Sequence, residues 1–205
     1  MPDSSKDVAL VLKSKKGELS AFGELVEKHQ SLVINFCYRM LGNREDAEDI
    51  AQETFLRAFA ALHRFQPRAK FSTWLLTIAR NLTLNLLRNR RKRGQSVSST
   101  RRFDEERQTV DLLPADEPGP GQALLGKERA EWVHRALQEL SDTHRNIILF
   151  RDFEGMAYED IAKIMGCRRG TVKSRLFRAR EQLREKLLEC GAAGDYGAGM
   201  LRRGD

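Results

Sequence analysis

Residues 158–180 read YEDIAKIMGCRRGTVKSRLFRAR, and their cations are spaced for contact with phosphates and base edges. From Cys167 to Arg180 there are six Lys/Arg and no Asp/Glu. Cations of this kind neutralise backbone phosphates, and an Arg fork also matches the edge of a guanine. Ile161, Ala162 and Met165 recur at helical spacing, and so do Val172, Leu176 and Ala179. Gly166 separates the two sets, where a tight turn between helices needs a residue that tolerates positive φ. The segment therefore predicts a helix-turn-helix whose second helix enters a DNA major groove. An ordinary helical hairpin with a solvated basic face has the same signature.

A second constellation lies upstream. Asp and Glu are absent from Thr54 to Phe103, a run of 50 residues holding twelve Lys/Arg: Arg57, Arg64, Arg68, Lys70, Arg80, Arg88, Arg90, Arg91, Lys92, Arg93, Arg101 and Arg102. Phe59, Phe65, Phe71 and Trp74 interleave with these cations. Rings beside cations suit single-stranded DNA, because unstacked bases stack on aromatic faces. Phe59 reads as core. Phe65 and Phe71, which flank the Pro67 loop, fit burial and base contact equally. Asn81 and Asn85 lie one turn apart on the same basic helix, and amides can read base edges through paired donor and acceptor. Surface amides of no special role fit the same spacing.

Just before this run sits an acidic cluster of Glu45, Asp46, Glu48, Asp49 and Glu53. DNA repels such a helix, so it is expected to face solvent or a second protein. Carboxylates at i, i+4 can also bind metal, but no His or carboxylate elsewhere completes a site, and no metal or cofactor is expected.

The elements that position these residues form two helical blocks. In the first, residues 4–93, AFGELVEKHQSLVINFCYRML places Phe22, Leu25, Val26, His29, Leu32, Val33 and Phe36 on one helix face. Gly42-Asn43 breaks it, and Asn43 is the expected cap of REDAEDIAQETFLRAFAALHRF. That helix carries Ala47, Ile50, Ala51, Thr54 and Ala58 on one side, extended by Phe55, Phe59 and Leu62, and stops at Pro67. A loop from Gln66 to Lys70 leads to a third helix, expected to be capped by Ser72, with Leu75, Ile78, Ala79, Leu82 and Leu86 buried. Residues 94–125 are rich in Gly, Ser, Pro and mixed charge and read as a flexible linker, which at about thirty residues spans roughly 30 Å. The second block, residues 126–190, begins with ERAEWVHRALQEL, with Trp132, Val133, Ala136, Leu137 and Leu140 inward. Ser141-Asp142 caps the next helix, which Gly155 ends, and the helix-turn-helix follows. Residues 191–205 are Gly-rich and read as a disordered tail. No strand pattern or repeat is present, so the fold class expected is all-α, with two small domains.

The net charge of +7 fits an anionic partner. No apolar run is long enough to span a bilayer, and the N-terminus lacks the apolar core of a signal peptide. Cys37, Cys167 and Cys190 are widely spaced without a CxxC pair, which supports neither zinc nor a disulfide framework. A cytoplasmic protein without direct membrane insertion is expected.

DAEDIAQETFLRAF, KFSTWLLTIARN and YEDIAKIMGCRRGTVKSRLFRARE, in that order, resemble a bacterial RNA polymerase sigma factor of the extracytoplasmic-function (ECF) group. The resemblance covers nearly all of the chain except the linker and tail. It implies two tethered DNA-binding domains that direct core RNA polymerase to the duplex −35 and melted −10 elements of a promoter, with no catalysis of covalent chemistry. It implies that Asp49, Gln52 and Glu53 dock on the clamp helices of the largest polymerase subunit. Phe65 and the loop to Lys70 correspond to a pocket for a flipped −10 base, with Asn81 under that loop and Asn85 one turn on. Phe71 and Trp74 fall near the strand-separation region, where Trp74 has a fold-supporting alternative. Arg168, Arg169, Thr171, Lys173, Ser174, Arg175, Phe177 and Arg178 correspond to the −35 surface, with Arg175 and Arg178 in closest contact. Arg168-Arg169 departs from the family pattern, which often has an apolar residue or Pro there. The pair either adds phosphate contact or alters the preferred −35 sequence. An anti-sigma factor is a further implied partner. The rival readings are a duplex-binding regulator that acts alone and a metal-dependent nucleic-acid enzyme.

Overall fold

The computed structural model describes residues 3–67, 69–94 and 120–189, with side chains for 5–67, 69–94 and 129–189. Arg68, the segment 95–119 and residues 190–205 lie outside them, and with them most of the expected linker and the whole expected tail. The described residues hold helices and no strand, in two units that meet the all-α expectation.

The first unit has four helices: α1 (Asp3–Lys15), α2 (Leu19–Leu41), α3 (Arg44–Ala61) and α4 (Phe71–Lys92), with a short 3-10 turn at Leu62–Arg64. α2 packs against all three others. Its inner face is Ala21, Leu25, His29, Val33, Phe36, Cys37 and Met40, all buried. Gly42, at φ 74°, ends it with its N–H on the Tyr38 carbonyl, and Asn43 caps α3 by accepting from the Asp46 N–H at 2.9 Å, as its side chain predicts. α1 did not stand out as a separate element in the sequence, because its apolar face is short, yet Leu10 and Val11 are buried.

Two expectations change here. Phe59 is 43% exposed and not core. The buried stripe of α3 is built from Ala47, Ala51, Thr54 and Ala58 with Phe55 beside it. These small residues let α2 and α4 approach closely, while Phe59 lies at the edge of that stripe, where its ring meets Phe22 edge-on at 4.9 Å. Ser72 does not cap α4 either. Lys70 occupies the cap position without a side-chain bond, because the helix already starts at buried Phe71. The buried stripe of α4 includes Leu76, Thr83 and Leu87, with Ile78 and Leu86 only half-buried.

The second unit contains α5 (Pro120–Glu139), α6 (Asp142–Ile148), a π-helical turn (Leu149–Phe153), α7 (Tyr158–Met165) and α8 (Arg169–Glu189). α5 begins within the stretch read as linker, with Pro120 at a first-turn position that needs no N–H. Ser141 caps α6 as expected, accepting from the His144 N–H. Arg145 is buried and donates to the carbonyls of Leu137, Gln138 and Leu140, at and just beyond the end of α5. The core of the unit is Ala136, Leu137, Ile147, Ile148, Leu149, Phe150 and Ile161, closed by one face of α8.

Candidate nucleic-acid interface

The helix-turn-helix is formed by α7 and α8. Gly166, at φ 61°, takes the left-handed conformation that its position required, and the Cys167 N–H returns to the Ala162 carbonyl at 3.0 Å. The Arg168 carbonyl accepts from the Val172 N–H at 3.1 Å and starts α8. Val172, Leu176, Ala179, Leu183 and Leu187 are the buried stripe of that helix. Lys173, Ser174, Phe177 and Arg178 are therefore on the opposite side, exposed, with Phe177 69% accessible. Arg168 and Arg169 are exposed at its start, and Thr171 and Arg175 are half-buried at the flank.

The cations of this surface are not equivalent. Arg169 pairs with Glu159 of α7 at 3.1 Å, both side chains being exposed. Lys173 lies 5.8 Å from the Tyr158 ring, over which Arg151 also sits at 4.6 Å. Arg168, Arg175 and Arg178 have no ion-pair partner among the described residues. Arg180, the sixth cation of the run, points inward to Asp152.

In the first unit the loop after the 3-10 turn carries the second group. Phe65 is 3% exposed, and its ring meets Phe71 edge-on at 5.6 Å and Trp74 at 5.1 Å. Phe71 and Trp74 are 5.7 Å apart, and Phe71 also contacts His29 at 5.5 Å. The two readings left open for Phe65 and Phe71 thus resolve toward burial, with half-buried Trp74 as the third ring of the cluster. Gln66, Pro67, Ala69 and Lys70 are exposed above it. Asn81 and Asn85 are both exposed on α4. Arg80, not singled out by the sequence, donates from Nη1 to the Asn81 Oδ1 at 3.2 Å, which leaves the Asn81 amide hydrogens as outward donors. Burial first, and then Arg88, lowers the pKa of Arg80.

The acidic cluster divides. Asp46 pairs with Arg90 of α4 at 2.5 Å, Glu48 with Arg44 at 2.8 Å and Glu53 with Arg57 at 2.6 Å. Glu45, Asp49 and Gln52 are exposed. Asp49, Gln52, Leu56 and Phe59 follow one another at steps of four or three, so they share a face of α3. Leu56 is 66% exposed on that face. Sequence reasoning missed it, although its spacing from Gln52 was the available signal.

Among the described residues no group of three His, Cys, Asp or Glu could hold a metal ion, and no helix is long and apolar enough to cross a membrane. The family description Sigma-70 region 2 matches residues 25–93, and Sigma-70 region 4 matches residues 130–183. The chain is 37% identical over 189 residues to the RNA polymerase sigma-H factor of Pseudomonas aeruginosa, covering 91% of this chain and 96% of that protein. It is 35% identical over 173 residues to the ECF RNA polymerase sigma factor SigW of Bacillus subtilis, covering 84% and 92%. Among solved structures, the sigma factor RpoE of Bartonella quintana, in complex with the anti-sigma factor NepR, matches with a TM-score of 0.58 and 30% identity, over 82% of this chain and 96% of that one. Region 2 thus covers the aromatic loop and the acidic helix, region 4 covers the helix-turn-helix, and the chain belongs to the ECF group of RNA polymerase sigma factors.

Proposed function

We propose that this sigma factor brings core RNA polymerase to promoters through three separate surfaces. The exposed face of α8, with Arg168, Arg169, Thr171, Lys173, Ser174, Arg175, Phe177 and Arg178, reads the −35 duplex. The loop from Phe65 to Lys70, with Asn81 and Asn85 beside it on α4, takes an unstacked base of the −10 strand, and Phe71 and Trp74 hold its floor. The face of α3 bearing Asp49, Gln52 and Glu53 docks on the polymerase, with Leu56 and Phe59 supplying an apolar centre that the charges surround. Such an arrangement of apolar core and polar rim is typical of protein interfaces. One observation carries this reading: Lys173 and Arg178 lie opposite the buried stripe of α8, on a helix that holds no carboxylate through Arg180.

Promoter opening in this reading draws its free energy from binding, without covalent chemistry by the chain. Holding a flipped base offsets a few kcal/mol of unstacking. Polymerase docking makes the second DNA contact intramolecular and turns two weak contacts into one avid one. The protein acts in the cytoplasm, where polymerase and promoters are. An anti-sigma factor is its regulatory partner, by analogy with RpoE and NepR. The exposed Leu56 and Phe59 lie on a face such a protein could cover.

The test is transcription in vitro with core polymerase across a promoter library, beside DNA binding by the free protein. The library should select one −35 and one −10 sequence. The free protein should bind DNA weakly, with strong salt dependence. Tight, specific binding of one promoter by the free protein, unimproved by polymerase, would establish the lone duplex-binding regulator instead.

A further inference from the structure

The carboxyl end of α1 touches the base-capture loop, although some 50 residues separate them in the chain. Lys15 Nζ donates to the Phe65 carbonyl at 2.7 Å. Phe65 is where the chain leaves the 3-10 turn for extended backbone, at φ −63° and ψ 128°, while its own N–H is held by the Leu62 carbonyl at 3.0 Å. The orientation of that carbonyl fixes ψ at Phe65 and hence the direction in which the loop departs. The amino end of α1 is fastened as well. Asp7, buried, accepts from Lys28 Nζ at 2.6 Å, and its second oxygen lies 3.1 Å from His29 Nε2. The His29 ring in turn contacts Phe71, the residue that closes the far end of the loop. α1 therefore reaches both anchors of the loop, Phe65 directly and Phe71 through His29.

We propose that α1 is a clamp on the base-capture loop and that Lys15 is a positioning residue for −10 specificity. The inference rests on the reading of the Phe65–Lys70 loop as the −10 reader. Lys15 itself does not touch the base. It holds the Phe65 carbonyl so that the loop is preformed, which lowers the ordering cost of capture and makes the pocket selective for shape. Without that bond the loop samples several exits from Phe65, and bases that fit the preformed pocket lose their advantage over those that do not.

The experiment uses the full chain with core polymerase, on a library randomised at −10 with −35 held fixed. Lys15→Met removes the donor and keeps an unbranched side chain. It should reduce the preference for the best −10 sequence over its single-base variants about tenfold, the scale of one hydrogen bond from a charged group. Polymerase affinity and the −35 preference should not change. Lys15→Arg restores a donor and should recover most of the preference. Phe65→Ala is the control for the loop. If Phe65→Ala abolishes the −10 preference and Lys15→Met leaves it intact, the clamp is wrong and the loop reading stands. If Lys15→Met weakens all −10 sequences equally, with a shallower salt dependence, Lys15 is a phosphate contact and the clamp is again wrong. A preference that survives Phe65→Ala removes the loop reading and the inference with it.

Discussion

Arg180 grips Asp152 with two hydrogen bonds, Nε to Oδ2 at 3.1 Å and Nη2 to Oδ1 at 2.5 Å. Both side chains are only 13% exposed, and the hydrogen bond to Asp152 raises the guanidinium pKa against the opposing effect of burial. Asp152 sits in the π-helical turn, where the Glu154 N–H bonds to the Leu149 carbonyl five residues back. The wider turn redirects the chain out of α6, and the ion pair fastens that turn to α8. Arg180 thus orients α8 without belonging to its exposed cationic face.

Removing one partner of this pair leaves a largely buried charge uncompensated. Asp152→Asn should destabilise the C-terminal unit by about 3 kcal/mol. In a unit of this size that lowers its melting temperature by more than about 10 °C. Thermal denaturation followed by circular dichroism reads the effect. Arg178→Ala, on the exposed face of α8, should leave the melting temperature within about 2 °C, because exposed substitutions are nearly neutral. Equal losses in the two variants would contradict the inward placement of Arg180.

The outward cations should separate by kind of contact. Arg178→Ala and Arg175→Ala should each cost about 1–3 kcal/mol at one −35 position and relax the preference there, as a lost base contact does. Arg168→Ala should weaken binding evenly across −35 sequences and reduce the salt slope by about one. Arg169→Ala should do less, because Arg169 must leave Glu159 before it can contact DNA. Holoenzyme binding to a −35 library at two salt concentrations distinguishes these cases. A uniform loss for Arg178→Ala would place it on phosphate.

The helix-turn-helix was legible because its parts are local. Gly166, the two apolar triplets and the cation run all lie within one segment, and the structure realises each of them. Asn43 and Ser141 were legible as caps for the same reason. What escaped the sequence depends on distant partners. Arg180 looked like any other cation of its run until the fold brought Asp152 against it. The acidic cluster looked like one surface, yet Asp46 meets Arg90 from 44 residues away. Phe59 was misplaced because apolar character alone does not say which side of α3 is filled by small residues. The aromatic loop was half legible: its residues were evident, but its closure by α1 requires Lys15 and Phe65 to meet across the fold.

The docking face proposed on α3 gives a third prediction. Leu56→Glu changes a residue that is mostly exposed, so the fold should hold, as unchanged circular dichroism would show. A charge at the centre of a desolvated interface is costly, and affinity for core polymerase should fall at least about tenfold. Asp49→Lys should give a similar loss by reversing the charge beside it. Binding of labelled protein to core polymerase, measured by fluorescence anisotropy without DNA, reads both. Full affinity in Leu56→Glu would confine docking to Asp49, Gln52 and Glu53.

Cys37 yields a prediction in pH. Its thiol is buried in α2, and burial pushes its pKa from 9.0 to about 12. The folded state therefore keeps the proton while the unfolded chain releases it from about pH 9 upward. Folding is unaffected by this group below pH 9, and stability falls as pH rises from there toward 12. Between pH 8 and 10 the loss from this thiol is about 1.4 kcal/mol. Cys37→Ala should be less stable at pH 8, because it leaves a small cavity, but should lack that share of the alkaline loss. Denaturant unfolding of both proteins at pH 8 and pH 10 gives the comparison. Parallel losses would show that the thiol does not ionise on unfolding as burial requires. The same burial should protect Cys37 from thiol reagents in the folded protein, while half-buried Cys167, in the turn before α8, reacts before it.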